Sequence, residues 1–168
     1  MLEIKGFVTN LGKYNEGELI GEWITFPIDD DELEEVFERI GINEEYEEFF
    51  FTDWETPFDN DFGEYESIEE INEIAEKLDD WDEDTFNAAC EIWTMSEVLE
   101  NDAYDYILYS NINSDYDLGY YYIMESGCYD TRELGIFEKY IDFESFGRDV
   151  GFESNGGFTS YGWIEYIG

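Results

Sequence analysis

Any chemistry in this chain has to be done without histidine. None of the 168 residues is His, which removes the commonest general base, the commonest metal ligand and every Ser–His or Cys–His nucleophile pair. Two thiols are present. Cys90 lies beside Ala88 and Ala89 in a helical pattern and reads as a packed core thiol, while Cys128 follows Gly127 in a loop whose acidic neighbours argue against a nucleophilic role. Glycine motifs that cradle phosphate are missing. What remains is carboxylate: 46 Asp and Glu against 7 Lys and Arg, a formal net charge of −39. Carboxylate pairs suited to glycoside chemistry can be drawn anywhere among so many acids and so carry no information. The expectation is a non-enzyme, with no catalytic residue, no cofactor and no metal.

So large a uniform charge repels nucleic acid and anionic membrane surfaces, and both partner classes are set aside. The chain is nonetheless expected to fold, because 33 residues are Phe, Tyr or Trp and the apolar total is 43%. No apolar run approaches the roughly 18 residues of a membrane span, and the opening MLEIKGFVTN has no basic region ahead of an apolar core. Two cysteines suit a reducing cytoplasm better than a secreted disulfide framework.

The elements that must position the carboxylates follow from periodicity. Residues 2–9 and 19–28 read as strands joined by a Gly- and Asn-rich turn or loop. Leu33, Val36, Phe37 and Ile40 then repeat at helical spacing up to Gly41, and the aromatic run from Tyr46 to Trp54 reads as a third strand ahead of Pro57. After a linker at 59–66, Ser67 and Glu70 carry a capping signature before Ile71, Ile74, Ala75 and Leu78. Short helices over Asp84–Trp93 and Ser96–Asn101 and a strand over Tyr104–Tyr109 come next. Helices opening at Ser114 and Thr131 and a hairpin over Phe158–Ile167 complete the pattern. The predicted class is α+β, an elongated row of three small units: a sheet with a helix (1–61), a helical middle (62–103) and a mixed α/β unit (104–168).

The helices carry acid on most of their polar positions, with Arg39 and Lys77 as the bases of the first two. Outside the first apolar stripe lie Asp29, Asp30, Asp31, Glu32, Glu34, Glu35 and Glu38, and Glu44, Glu45, Glu47 and Glu48 follow it. The second helix adds Glu69, Glu70, Glu73 and Glu76, then come Asp79, Asp80, Asp82, Glu83 and Asp84, and further on Asp115 and Asp117. Asp31/Glu35 and Glu34/Glu38 are like-charge i, i+4 pairs, each costing a few tenths of a kcal/mol. One such helix is an ordinary solvated face. Repetition of one sign from Asp29 to Asp105 needs a reason.

Three are available. Adaptation to high salt goes with a slimmed apolar core, which this aromatic-rich chain lacks. Cation binding finds its best local pattern in Asp80, Asp82, Asp84 and Glu91, spaced as an EF-hand loop. There Thr85 stands where the turn wants Gly, and Glu91 falls in a helical pattern. The third is imitation of a polyanion: 39 charges match about 65 Å of duplex DNA, roughly 20 base pairs. A compact globule of this length is only about 40 Å across, so DNA-like charge density favours small units in a row. Residues 1–103 hold 34 acids and 4 bases, residues 104–168 only 12 and 3. Like-charge repulsion therefore directs any self-association to the last third.

The stretch NLGKYNEGELIGEWITFPID at 10–29 closely resembles the N-terminal signature of the ArdA family of antirestriction proteins. NEEYEEFFFTDWETPF at 43–58, GYYYIMESG at 119–127 and YIDFESFGRD at 140–149 extend the likeness over essentially the whole chain. The resemblance implies an acidic, three-domain protein of mobile genetic elements that mimics bent B-form DNA. Such a mimic would occupy the DNA-binding groove of type I restriction-modification enzymes, methyltransferase core and full complex alike, and dimerise through its C-terminal domain. The family's antirestriction stretch then falls near Leu134–Phe143, where Leu134, Ile136, Phe137, Tyr140 and Ile141 suit an apolar dimer interface. The 110–114 loop (SNINS) departs from the pattern expected of the family in having no carboxylate. The competing expectation is an acidic halophilic-type or cation-binding protein without a macromolecular target.

Overall fold

A computed structural model describes residues 2–168. Its elements are mixed helices and two antiparallel three-stranded sheets, an α+β fold. Contacts divide the chain into two compact units, Met1–Trp81 and Asp82–Gly168.

The first unit is built on β1 (Ile4–Asn10), flanked by β2 (Gly21–Phe26) and β3 (Phe49–Glu55) in the order β2-β1-β3. Ile4 and Val8 of β1, Ile24 and Phe26 of β2 and Phe51 of β3 are buried. Period-2 alternation would send Phe51 and Trp54, three residues apart, to opposite faces. A bulge resolves this: Val8 pairs with Phe51 but Phe7 with Asp53, so Thr52 is the extra residue. Both rings thereby reach one face, 4.4 Å apart, where a Cβ on Gly6 would strike them. Helix α2 (Asp30–Ile40) buries Val36 and Ile40 and sets Phe37 on Phe49 at 4.9 Å. It ends as the sequence requires, with Gly41 at φ 78°. Helix α3 (Ile68–Leu78) buries Ile71, Ala75 and Leu78.

Between β1 and β2 the expected turn contains a short helix, α1 (Leu11–Asn15), capped by Asn10. Asn10 is fully buried; its Oδ1 accepts from the Lys13 N–H at 2.9 Å, and its Nδ2 donates to the carbonyls of Ile40 and Gly41, both at 3.1 Å. One amide thus starts α1 and holds the end of α2.

The second unit packs α4 (Glu83–Ile92) and α5 (Met95–Leu99) with β4 (Tyr106–Tyr109), β5 (Gly156–Thr159) and β6 (Gly162–Tyr166), ordered β4-β6-β5. The Glu91 carboxylate of α4 accepts from both the N–H and the hydroxyl of Ser160 at the hairpin turn. Helix α6 (Asp115–Tyr120) opens at Ser114 as read from the sequence. The helix expected from Thr131 is instead a 3-10 turn over Gly135–Tyr140. An unexpected helix follows, α7 (Phe143–Glu153). Its Gly147 meets Gly119 of α6 so closely that a Cβ on either would overlap a carbonyl oxygen, that of Asp115 or Phe143. Glycines that lower helix propensity here allow the crossing. Ile112, Leu118 and Trp163 form the core beside it.

Two outcomes follow for the second unit. Gly147→Ala gains about 1 kcal/mol of helix propensity, but the carbonyl it meets is backbone and cannot move aside. Net destabilisation of about 1–2 kcal/mol is expected in urea unfolding; an unchanged midpoint would show that the helices are not in contact there. Burial lifts the Tyr109 hydroxyl to about 12. Burial and the hydrogen bond to Glu165 raise that of Tyr122 further. Folded values above the unfolded value of about 10 mean that their stabilisation is complete below pH 10 and lost as pH rises through the folded values. In an alkaline titration followed by tyrosinate absorbance and circular dichroism, Tyr109 and Tyr122 should ionise only as the second unit unfolds.

Candidate functional site

Helix α2 carries its acids where local physics tolerates them best. Asp29 is the N-cap, accepting from the Glu32 N–H at 2.8 Å, and Asp30, Asp31 and Glu32 occupy the first turn, where the helix dipole favours negative charge. With the apolar residues turned inward, Glu34, Glu35 and Glu38 are left exposed. The helix has one cation, Arg39, and it is engaged: its guanidinium grips Glu22 of β2 through two bonds of 2.9 Å and lies 3.6 Å from Glu35. That pairing holds the Glu22 carboxyl below and the Arg39 guanidinium above their ordinary ranges. Beyond α2, the Asn43 side chain accepts from the N–H groups of Glu45 and Tyr46, forming a turn that exposes Glu44, Glu45, Glu47 and Glu48.

Helix α3 repeats the arrangement. Ser67 caps it by accepting from the Glu70 N–H, and Glu69, Glu70, Glu73 and Glu76 face solvent opposite the buried Ile71, Ala75 and Leu78. Its placement comes from Asn72, whose Nδ2 donates to the Ile28 carbonyl and whose Oδ1 accepts from the Ile28 N–H, both at 2.8 Å. Ile28 immediately precedes Asp29, so this amide ties the acidic face of α3 to the start of α2. Nothing in the sequence pattern flags it, because an Asn in an amphipathic helix is unremarkable until its partner is known.

Asp79 and Asp80 are exposed after α3. In the second unit Asp82, Glu83 and Asp84 are exposed at the start of α4, with Asp82 accepting from the Thr85 N–H and hydroxyl. Asp115 and Asp117 differ. Both are half-buried, and Asp117 is drawn into capping α6, accepting from the Ser114 hydroxyl at 2.7 Å and the Asn113 N–H at 3.2 Å. Of the EF-hand-spaced acids, Asp82 and Glu91 are thus bonded elsewhere, and among the described residues no group of three or more acids or thiols is disposed to hold a metal ion. Burial pushes the Cys90 thiol up to about 11, away from reactivity.

A second surface is apolar. Along the 3-10 turn, Ile136 is 74% exposed, Phe137 64% and Tyr140 73%, while Leu134 and Ile141 are half-buried. Three large apolar side chains standing in water within one short segment form the kind of patch that marks an interaction site.

Among the described residues no helix is long and apolar enough to cross a membrane. No curated protein matches the sequence significantly. The sequence model of the antirestriction protein family ArdA, in contrast, matches residues 6–165, from the third residue of β1 to the penultimate residue of β6. With nearly the whole chain matched, the protein belongs to the ArdA family of antirestriction proteins, whose role bears on restriction-modification enzymes.

Proposed function

We propose that this protein blocks type I restriction-modification enzymes by presenting its surface carboxylates as stand-ins for DNA phosphates in their DNA-binding groove. The observation that carries the reading is exposure. Twenty of the twenty-two carboxylates singled out from the sequence face solvent, and the cation on α2 is held by acids. A merely solvated surface would intersperse both signs. Here uniform charge is maintained on successive elements at a cost in self-repulsion, and a positively charged groove that normally binds phosphates would compensate it.

The proposal extends to a homodimer joined through Leu134, Ile136, Phe137, Tyr140 and Ile141. One chain supplies charge for only about 20 base pairs, and a target gripping DNA on both sides of its recognition site needs more. The less acidic last third offers the exposed apolar turn, where two copies meet with least repulsion.

Competition with labelled duplex for a purified type I methyltransferase tests the central claim. Displacement at micromolar protein and moderate salt is expected, and its absence would sink the reading. Single neutralisations such as Glu73→Gln should cost under about 1 kcal/mol, because exposed charges contribute singly little. Neutralising Asp29, Asp30, Asp31, Glu34 and Glu35 together should weaken competition about tenfold or more and flatten its salt dependence.

Sedimentation tests the dimer. Phe137→Glu places a charge in the apolar contact, so folded monomers are expected that compete more weakly without losing activity entirely. Dimers that persist, with circular dichroism unchanged, would place the interface elsewhere.

A further inference from the structure

The signature segment at 10–29 does more than carry acids. In the first unit, among the described residues, the exposed large apolar side chains are Tyr14, Leu19, Trp23 and Tyr65. Three of these four, all from that segment, line one groove of about 440 Å³ together with Phe7, Thr52 and Asp53. It lies on the sheet face opposite the buried Phe51–Trp54 cluster. Its walls are fixed: Phe7 and Trp23 meet edge to face at 5.4 Å, and Tyr14 meets Phe50 at 5.1 Å. Gly21 is pressed so close to the Val8 backbone that no side chain fits there. Leu19 is 66% and Trp23 41% exposed. Imitated phosphates do not require an aromatic wall, so charge mimicry leaves this groove unexplained.

We propose that the groove seats an arginine side chain of the target enzyme, with the guanidinium against the Trp23 and Tyr14 rings beside the Asp53 carboxylate and the methylene stem along Phe7 and Leu19. Charge complementarity selects the occupant. The field of this chain admits a cation and rejects an anion, while the walls offer π faces, which attract cations, and apolar area, which suits a long stem. Guanidinium fits better than ammonium, being planar, weakly hydrated and able to stack. Surfaces that bind phosphates are rich in such side chains, and Trp, Tyr and Arg are the residues enriched where protein interfaces concentrate their binding energy. The groove would therefore supply a contact that salt weakens little, beside a carboxylate field that salt weakens strongly.

Two measurements decide it. In the first, the indole N–H resonance of Trp23, identified by its loss in Trp23→Phe, is followed in about 0.5 M salt, where exposed charges are screened. N-acetylarginine amide should shift it saturably, the lysine analogue less, and the uncharged citrulline analogue not at all. Equal shifts with citrulline, no shift with arginine, or a shift with protein concentration alone would each overturn the proposal, the last by showing that a second copy fills the groove. The second rests on the mimic reading above: Trp23→Leu should weaken displacement of duplex about tenfold with the salt dependence unchanged, and Trp23→Phe should recover most of the loss. A folded Trp23→Leu protein that competes like the unaltered one would also overturn it. Failure of the unaltered protein to displace duplex would defeat the mimic reading, while the first measurement would still decide the groove.

Discussion

Self-repulsion is the constraint on which this structure depends. A net charge of −39 over 168 residues must be kept in water, and each element is built so that the apolar side holds it while the charged side is free. The acids sit where backbone fields help them. Asp29, Asp82 and Asp142 cap helices with their own carboxylates, and the first turns of α2, α3, α4 and α7 are acidic. The complementary arrangement at helix C-termini is sparse, since the last turns of α4, α5, α6 and α7 contain no base.

With seven cations in the chain, ion pairs such as that of Arg39 on α2 with Glu22 on β2 can join few elements, and neutral groups do much of the joining. Asn10 closes α1 and α2 on each other, Asn72 ties α3 to the segment before α2, and Tyr122 donates to the buried Glu165 of β6. An amide presents donor and acceptor together, so it satisfies a backbone N–H and C=O at once without adding charge. Aromatic contact does the rest: Phe37 on Phe49, Phe51 on Trp54 and Trp93 on Tyr106 each bury large area per residue. The charge mimicry proposed above asks of the fold only that it hold many charges apart and outward, and a surface of this kind meets that demand.

The sequence by itself determined the charge, the α+β class and the family. It also located helices whose ends are local chemistry, such as α2 with its stop at Gly41 and α3 with its start at Ser67. Helix α7 was illegible because Gly147 and Gly151 depress local propensity, and only the close crossing with α6 explains Gly147. In the same way, helical spacing near Thr131 suggested a helix where the chain forms a 3-10 turn with its apolar residues outward. Tertiary structure alone decided that Asn72 reaches Ile28, and that Tyr14, Leu19 and Trp23 converge on one groove. The reason is range. Periodicity and capping act over a few residues and are written in neighbouring letters, whereas exposure and convergence depend on partners brought together across tens of residues by packing, which no local pattern encodes.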